Sequence, residues 1–561
     1  MMKNFILLLM ALITVLSGNA QSYNFQKALD AIQEKDYAKA LDYFSRELKD
    51  NPKDALTYYY RAAIYDSQEQ NAPALSDINN TIKYTSSKDI KMLSDAYCFR
   101  GNIYLKVENY EKTFDDYEAA LKLTPENPDI YIDRAQIYFD LNQYEKAEAD
   151  YRQVLKIDEG EVRAWAGLGR NYLNEKNFTE AEKILSQLIK LDSKYATGFY
   201  YRGVVYYAQK KYDDAIDDLF YCIGLDKSDN STQRLFVSYS AKNYDLSFSK
   251  VNSQISSYPE TALWYSIRAQ LFEKNNNLKS AISDYTKVLE LSDIGSKSYF
   301  LYQRANCYSG IGMQAKALAD FSASINLDSL NAYNFAARGD TKRLMGNYTG
   351  AIEDFTKAIK IQPQESWFTY RRGWTYEIMR DFGKALNDYN ESIALDKNYA
   401  YTYLQRGRIY EFQLKNAAKA KEDYLKILSL DTVVKDGSCR QYALFHLGRN
   451  KEAIVWMNKI LEEYSGGGNY YDATCLYAGM NKPKEALAML KLAFQKGYME
   501  FNHIADDDDM DNIRNLPGFK KLVEEWKKIF NESLKTDTSV KSGVPDKGSE
   551  ITKCMTKTHN S

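Results

Sequence analysis

Residues 366–399 read SWFTYRRGWTYEIMRDFGKALNDYNESIALDKNY. Apolar and small residues recur at helical spacing around Gly373, the pattern breaks at 381–383, and a second helical face carries Ala385 and Tyr389. The stretch therefore predicts two helices joined by a tight turn. The small residues lie where the helices approach closely, and the aromatic residues fill the space beside them. One such pair is too thin to bury its own apolar faces, so it needs a similar pair on each side.

Such neighbours are present on both sides of this stretch. In the preceding 34 residues, 332–365, the matching small, aromatic and turn residues are Gly339, Ala351, Phe355, Ala358 and Pro363. In the residues that follow Ala400 they are Gly407, Tyr410 and, one residue late, Ala420 and Tyr424. A period of 34 residues kept along the chain predicts an array of helix pairs.

This pattern resembles the tetratricopeptide repeat (TPR) family, and the resemblance covers nearly all of residues 21–530. It implies an all-α fold, a right-handed superhelical solenoid of stacked helix–turn–helix repeats. It also implies a concave surface lined by the first helix of each repeat. TPR proteins generally bind extended or helical segments of partner proteins on that surface. Because TPR folds serve many unrelated tasks, the function inferred here rests partly on analogy.

The pattern also divides the chain. One repeat, 228–261, lacks the small residues at the helix crossing and is a degenerate repeat or a hinge. After 430 the repeats diverge, and the last helices should cover the exposed face of the array. A final Ser-, Thr- and Lys-rich stretch should be disordered. The predicted segments are a signal peptide at 1–20, an N-terminal array at 21–227, the degenerate repeat at 228–261, a central array at 262–430, divergent repeats with a capping segment at 431–530, and a disordered tail at 531–561.

The repeats also share a charge pattern. An arginine of the first helix and an aspartate of the second are 16 residues apart in eight repeats. In the repeat after Ala400 the spacing is 17, from Arg406 to Asp423, which fits the one-residue insertion. One repeat lacks both partners, with Leu168 and Ile184 in their places, and the degenerate repeat loses the pair, with Arg234 opposite Lys250. We expect a partly buried ion pair across each helix pair rather than a row of arginines open to a ligand.

The first residues resemble a secretory signal. Lys3 precedes an apolar run at 5–16, and small residues end at Ala20, after which we expect cleavage. The run is too short for a stable membrane span, although an uncleaved anchor is the alternative. Cleavage takes the formal charge from −2 to −2 − 1 = −3. We therefore expect a periplasmic or secreted protein without an integral span after cleavage, and a near-neutral charge argues against nucleic acid as its main partner.

The residues that usually carry catalysis or bind metals are sparse. Three histidines lie in unrelated places, no metal-ligand spacing joins them to cysteines, and no nucleotide-binding or nucleophile motif occurs. The acidic run 506–511 lacks the glycine and glutamate of a calcium loop and predicts a solvated turn. Cys439 and Cys475 lie in adjacent repeats and could meet, although small buried residues are the simpler interpretation. We expect no enzymatic activity, no metal and no cofactor.

Aromatic and polar residues on the first helices are the candidate ligand-binding groups. Rings supply contact area, and polar groups fix the register of a bound segment by hydrogen bonds. A non-enzymatic scaffold that binds a protein or peptide segment is the main hypothesis. A solenoid that binds glycans with the same rings is the alternative, and packing between repeats could also explain the rings. The candidates are Tyr299, Tyr302, Asn306, Tyr333, Arg343, Trp367, Tyr370, Trp374, Tyr401 and Arg408.

Overall fold

The computed structural model describes residues 22–430, 439–498 and 501–535. Within these ranges the secondary structure is helical and no strand occurs. None of the helices in the described part of the chain combines the length and the apolar character that a bilayer crossing requires. The predicted signal peptide and the predicted tail beyond 535 lie outside the described residues, while the last helix runs five residues past 530.

The chain divides into two compact units, Met1–Lys250 and Val251–Ser561. The division falls inside the stretch 228–261, where the repeat pattern is degenerate. The helices up to this division are α1 Tyr23–Gln33, α2 Tyr37–Asp50, α3 Ala55–Ser67, α4 Asn71–Tyr84, α5 Ile90–Lys106, α6 Tyr110–Leu123, α7 Pro128–Asp140, α8 Tyr144–Ile157, α9 Val162–Asn174, α10 Phe178–Leu191, α11 Ala196–Ala208, α12 Tyr212–Leu225, α13 Asn230–Tyr239 and α14 Tyr244–Ser257, in which the division lies.

The second unit continues the same succession of helix pairs and ends in three unpaired helices. Its helices are α15 Ala262–Lys274, α16 Leu278–Leu291, α17 Ile294–Gly310, α18 Gln314–Leu327, α19 Ala332–Leu344, α20 Tyr348–Ile361, α21 Ser366–Ile378, α22 Phe382–Leu395, α23 Ala400–Arg408, α24 Ala417–Leu430, α25 Arg440–His446, α26 Asn450–Glu463, α27 Gly467–Gly479, α28 Pro483–Gln495, α29 Phe501–Asp506, α30 Asp511–Arg514 and α31 Pro517–Lys535.

The pair α21–α22 shows why this sequence folds as two helices. The chain leaves α21 through Arg380, whose φ of 61° ends the helix, and Asp381 caps α22 by accepting a hydrogen bond from the backbone N–H of Lys384. A residue in the same left-handed conformation recurs between the two helices of other pairs, for example at Lys176 and Asn276. Side-chain caps and left-handed turns therefore set the helix boundaries locally, before any packing is considered.

Close packing at the helix crossing depends on small residues. A Cβ added to Gly373 would lie 2.9 Å from Cε1 of Tyr389 and 3.0 Å from Cβ of Asp388. Ala385 and Tyr389 of the facing helix are fully buried. Within each unit, successive helix pairs pack on one another, for example α20 on α21 and α22 on α23, so the buried core runs along the pairs rather than lying at one centre. The all-α solenoid of stacked helix pairs predicted from the period is confirmed.

The predicted arginine–aspartate pairs form in the structure. Arg372 donates from Nε and from an Nη to the two carboxylate oxygens of Asp388, both at 2.8 Å. Asp354 and Asp388 are 1% and 2% exposed, so the carboxylates are buried and charge-compensated. The same two-point contact joins Arg61–Asp77, Arg100–Asp116, Arg134–Asp150, Arg202–Asp218, Arg268–Asp284, Arg304–Asp320, Arg338–Asp354 and Arg406–Asp423.

The third nitrogen of most of these arginines reaches the preceding repeat. Arg338 donates to the Ser322 hydroxyl at 3.2 Å, and Arg406 donates to the Asn390 side chain at 2.6 Å. For Arg338 and Arg406 the acceptor lies 16 residues before the arginine, on the second helix of the previous pair. One guanidinium therefore joins both helices of its own pair and the pair before it. The sequence analysis did not identify this contact, although the spacing is readable in the sequence.

The repeats that depart from the arginine–aspartate pattern form other contacts in its place. Leu168 and Ile184, which replace one pair, are both buried, so an apolar contact substitutes for the ionic one. In the degenerate repeat, Lys250 forms an ion pair with Asp217 at 2.8 Å. The inserted residue of the repeat after Ala400 is taken up by a π-helical turn, Ile409–Gln413, at the end of α23. Helix α24 thereby returns to register, and Arg406 still meets Asp423.

Replacing Asp388 by Asn should destabilise the protein by about 3–5 kcal/mol, because the Arg372 charge would remain buried without its counter-charge. Glu391→Gln on the same helix is the matched control. Glu391 is exposed and 4.0 Å from the same guanidinium, so its change should cost about 1 kcal/mol or less. Urea denaturation followed by circular dichroism measures both. Equal stability of the two variants would refute a buried pair.

Two glycines of the same helix pair should respond to alanine in opposite directions. Gly373→Ala should cost about 1–3 kcal/mol, because its Cβ would collide with Tyr389 and Asp388. Gly383 is exposed in α22 with no close neighbour around an added Cβ, so Gly383→Ala should be neutral or stabilising, by up to about 1 kcal/mol. Thermal melts of both variants test the crossing. A Gly373→Ala protein as stable as the parent would show that the helices do not approach so closely.

Candidate partner-binding surface

Three consecutive first helices of the second unit, α19, α21 and α23, bring a group of aromatic and charged side chains together. We call this group the aromatic–arginine face. Its members are Asp340, Arg343, Trp367, Tyr370, Arg371, Trp374, Tyr399 and Tyr401. Five of the ten sequence-predicted candidates belong to it. They meet because residues three or four apart lie on one side of a helix, and successive first helices lie side by side.

Stacking of arginine on tryptophan organises the face. The Arg343 guanidinium lies 3.9 Å from the centroid of the Trp374 ring, which covers one side of the indole. Arg371 lies 5.1 Å from the Trp367 ring and 5.4 Å from the Trp374 ring. Asp340 is the counter-charge, 3.3 Å from Arg343 and 3.5 Å from Arg371. Two guanidinium groups therefore share one carboxylate.

Tyrosines extend the face towards α23. The Tyr370 ring stacks on Trp374 at a centroid distance of 6.4 Å and meets Tyr399 edge-on at 5.3 Å. Tyr401 lies 5.8 Å from Tyr399 and 6.5 Å from Tyr370. Burial raises the pKa of Tyr370 to about 12, so its hydroxyl stays protonated at neutral pH. Tyr370 is buried and acts as the support of the face rather than as a contact residue.

Arg408 is already occupied by the chain itself. The Asp509 carboxylate accepts a hydrogen bond from Arg408 at 2.9 Å, across 101 residues of sequence. The acidic run containing Asp509 forms a turn between α29 and α30. There Asp507 accepts a hydrogen bond from the Tyr471 hydroxyl at 2.7 Å, and Met510 is fully buried. The acidic turn therefore packs on first helices of the last repeats. Arg408 was predicted to bind a ligand, but in the structure it is paired with Asp509.

The other predicted residues lie apart from the aromatic–arginine face or at its edge. Tyr333 is 44% exposed, contacts Phe368 edge-on and donates its hydroxyl to Glu365 at 3.1 Å. On α17, Tyr299 is 53% exposed, whereas Tyr302 packs partly against the core residue Phe321. Asn306 is exposed on the same helix.

Comparisons with known proteins identify the repeat. Models of the tetratricopeptide repeat match residues 143–197 and 332–365, 370–399 and 400–433, and a TPR repeat model matches 101–141. These matches fall on the helix pairs described above. The chain contains tetratricopeptide repeats.

Curated relatives are similar over a small part of the chain. An Hsp70-Hsp90 organizing protein of Triticum aestivum is 26% identical over 105 residues, 19% of this chain and 17% of that protein. A TPR repeat-containing protein of Methanocaldococcus jannaschii is 29% identical over 105 residues, 19% of this chain and 18% of that protein. The chain therefore spans less than a fifth of the length of either relative.

Solved structures of TPR proteins are similar as well. YrrB, described as a TPR protein with an unusual peptide-binding site, is 23% identical with a TM-score of 0.28, covering 34% of this chain and 96% of YrrB. A tetratricopeptide repeat protein from Parabacteroides merdae is 16% identical with a TM-score of 0.31, covering 43% of this chain and 93% of that one.

The sequence analysis missed Arg371 of the aromatic–arginine face and Asp509, which binds Arg408. Arg371 is next to the arginine of the ionic pair, Arg372, and is absent from the predicted candidates. Its spacing of four and three residues from Trp367 and Trp374 could have placed it on the face. Asp509 could not have been found this way, because nothing in the spacing of a repeat array indicates which distant segment returns to it.

A second repeated contact was also missed. The hydroxyl of Tyr389 donates to Glu377 at 2.5 Å, and Tyr285 and Tyr424 donate in the same manner to Glu273 and Glu411. Burial raises the pKa of Glu377, and the Tyr389 hydrogen bond opposes that rise. Each tyrosine ring fills the space beside the small residue at the crossing while its hydroxyl ties the two helices of the repeat together.

Cys475 and the acidic turn form a cluster in the second unit. The thiol lies 3.7 Å from the Asp507 carboxylate, and the ligand atoms of Cys475, Asp507 and Asp509 lie within 4.8 Å of one another. Burial raises the pKa of the thiol well above its ordinary value, which disfavours the thiolate that a metal needs. Arg408 and Tyr471 already satisfy the two carboxylates. The cluster is therefore explained by internal contacts.

The contact between Arg408 and Asp509 should be energetically coupled. A double-mutant cycle with Arg408→Gln and Asp509→Asn should give about 1–2 kcal/mol, since both side chains are partly buried. The exposed pair Arg449–Glu452 is the control, with about 0.5 kcal/mol or less expected. Urea denaturation of the four proteins in each cycle gives both values. Additive effects at Arg408 and Asp509 would mean that the acidic turn does not pack on α23.

Proposed function

We propose that this chain is a non-enzymatic, exported scaffold that binds a segment of a partner protein on its aromatic–arginine face. The observation that carries the proposal is the geometry of Arg343, Arg371, Trp367 and Trp374. Tryptophan and arginine are the residue types that dominate binding energy at protein interfaces. Here they lie together on adjacent first helices, with Trp367, Arg371 and Trp374 partly exposed and Arg343 buried beside them.

Several further features support a scaffold. Tetratricopeptide repeats mediate protein–protein interactions, and the wheat relative is named for organizing Hsp70 and Hsp90. The export proposal rests on the N-terminal pattern, with Lys3, an apolar run and small residues up to Ala20. On that pattern the protein would act in the periplasm or outside the cell. The absence of an enzymatic role is part of the proposal.

The geometry is less favourable to glycan binding. A sugar ring stacks on an exposed aromatic face, but Arg343 covers one face of Trp374 at 3.9 Å and Arg371 lies over both indoles. A sugar would have to displace a guanidinium that is paired with Asp340. A peptide can instead use the outer edges of the guanidinium groups and the remaining ring surface. We therefore favour a protein segment over a glycan.

Replacing Trp367 or Trp374 by Ala should weaken partner binding by roughly 30-fold, since an anchor residue contributes about 2 kcal/mol. Crosslinking of the tagged full chain in its native cells, followed by quantitative mass spectrometry, identifies the partners and measures the loss. Trp456→Ala is the control, because Trp456 lies on α26, outside the aromatic–arginine face. Thermal melts verify that the variants are folded. Full recovery of every partner with both variants would refute the binding surface.

A further inference from the structure

The aromatic–arginine face carries more positive than negative charge. Arg343 and Arg371 are two cations, and Asp340 is the carboxylate with which both form salt bridges among the described residues. Both contacts, at 3.3 and 3.5 Å, are longer than the 2.8 Å contacts of the buried pair Arg372–Asp388. One carboxylate divided between two guanidinium groups neutralises only half of their charge. The face therefore retains a net charge of about +1.

Arg371 also has unused hydrogen-bonding capacity. Its Nε is buried and has no hydrogen-bond partner in the described part of the chain, and a buried donor without an acceptor is costly. The guanidinium is held between the rings of Trp367 and Trp374, so its position is fixed before any ligand arrives. A donor that is held in place and incompletely satisfied favours an acceptor supplied from outside.

The environment of Arg343 also favours a negative charge supplied by a ligand. Burial lowers the pKa of Arg343, Asp340 opposes that decrease, and the neighbouring charge of Arg371 adds to it. Arg343 is 9% exposed, so its charge is poorly solvated. A second negative charge placed beside the two arginines would relieve both their repulsion and their desolvation.

The chain itself provides an example of the contact. Asp509 places its carboxylate on Arg408, on the next first helix after α21. Burial raises the pKa of Glu377, one helical turn beyond Trp374 on α21, and the charge of the exposed Asp508 in the same acidic turn adds to that rise. A further acidic segment on the face would repeat, at Arg371, the contact that Asp509 makes with Arg408.

We infer that the partner segment is acidic and that the carboxylate of an Asp or Glu side chain binds Arg371 and Arg343 between the two tryptophans. This inference rests on the proposed function, because it names the chemistry of the segment that the same face binds. The ring surface of Trp367 and Trp374 that the two guanidinium groups leave uncovered supplies the apolar part of the site. A residue with an apolar side chain beside the acidic one therefore fits the site better than a uniformly charged run.

Defined peptides test the inference. The probe is a fluorescein-labelled decapeptide of alternating Glu and Leu with an amidated C-terminus, and its counterparts carry Gln or Lys in place of Glu. Anisotropy titration with the full chain should show the Glu peptide binding about tenfold more tightly than the Gln peptide, because only the Glu carboxylate forms a charge-assisted hydrogen bond; tenfold corresponds to about 1.4 kcal/mol. The Lys peptide should bind most weakly, and added salt should reduce the preference.

Two variants change the binding in opposite directions. Arg371→Gln should abolish the preference for Glu over Gln, whereas Arg449→Gln, an exposed arginine on another part of the unit, should preserve it. Asp340→Asn removes the competing internal carboxylate and should strengthen binding of the Glu peptide several-fold. A variant that merely damaged the fold would weaken binding, so the increase separates the charge effect from a structural one.

The outcomes distinguish this inference from the proposed function. Equal affinity for the Glu and Gln peptides, including no measurable binding of either, would overturn the acidic-partner inference. A Gln peptide with a free C-terminus that bound as tightly as the amidated Glu peptide would also overturn it, in favour of a chain-terminal carboxylate. After either of these results, loss of the crosslinked partners in Trp367→Ala and Trp374→Ala would still support the proposed binding surface. Only the acidic character of the partner segment would then be refuted.

Discussion

The paired contact between a buried arginine and a buried aspartate is the constraint on which the array depends. Arg372 and Asp388 show its elements: two parallel hydrogen bonds, an aspartate almost without exposed surface, and a glycine at the same crossing. Burying two charges is costly unless each satisfies the other, so the geometry of the pair limits how the two helices can cross. The remaining nitrogen reaches the previous repeat, and the same side chain therefore also sets the stacking between repeats.

This arrangement explains why the first helices can carry a binding surface. The ionic pair, the small residue and the tyrosine–glutamate contact together occupy the side of each first helix that meets its partner helix. The positions facing away from that partner are then free to vary without loss of the repeat. In α19 and α21 they carry Arg343, Arg371, Trp367 and Trp374, while in α23 the corresponding surface meets the acidic turn.

Departures from the repeat are as informative as the repeat itself. The π-helical turn Ile409–Gln413 absorbs one extra residue and keeps Arg406 opposite Asp423. The acidic turn comes after the last repeat and packs back onto α23 through Asp509. These are places where the local sequence follows no period. They change the surface near the aromatic–arginine face while leaving the stacking of the helix pairs intact.

The sequence alone determined the helix pairs, their turns, the small residues at the crossings and the ionic pairs. Each of these depends on residues within one repeat, about 16 apart, and the repeats serve as their own comparison. The sequence also predicted that the two tryptophans of α21 lie on one side of that helix, because their spacing is set within the helix itself. Only the tertiary structure decided that Arg343 and Arg371 share Asp340, that Tyr370 is buried, and that Arg408 is bound by Asp509. Those outcomes depend on contacts between neighbouring first helices and with a segment 101 residues away. The spacing of residues within a repeat does not indicate which side chains of different repeats, or of a distant non-repeated segment, will meet.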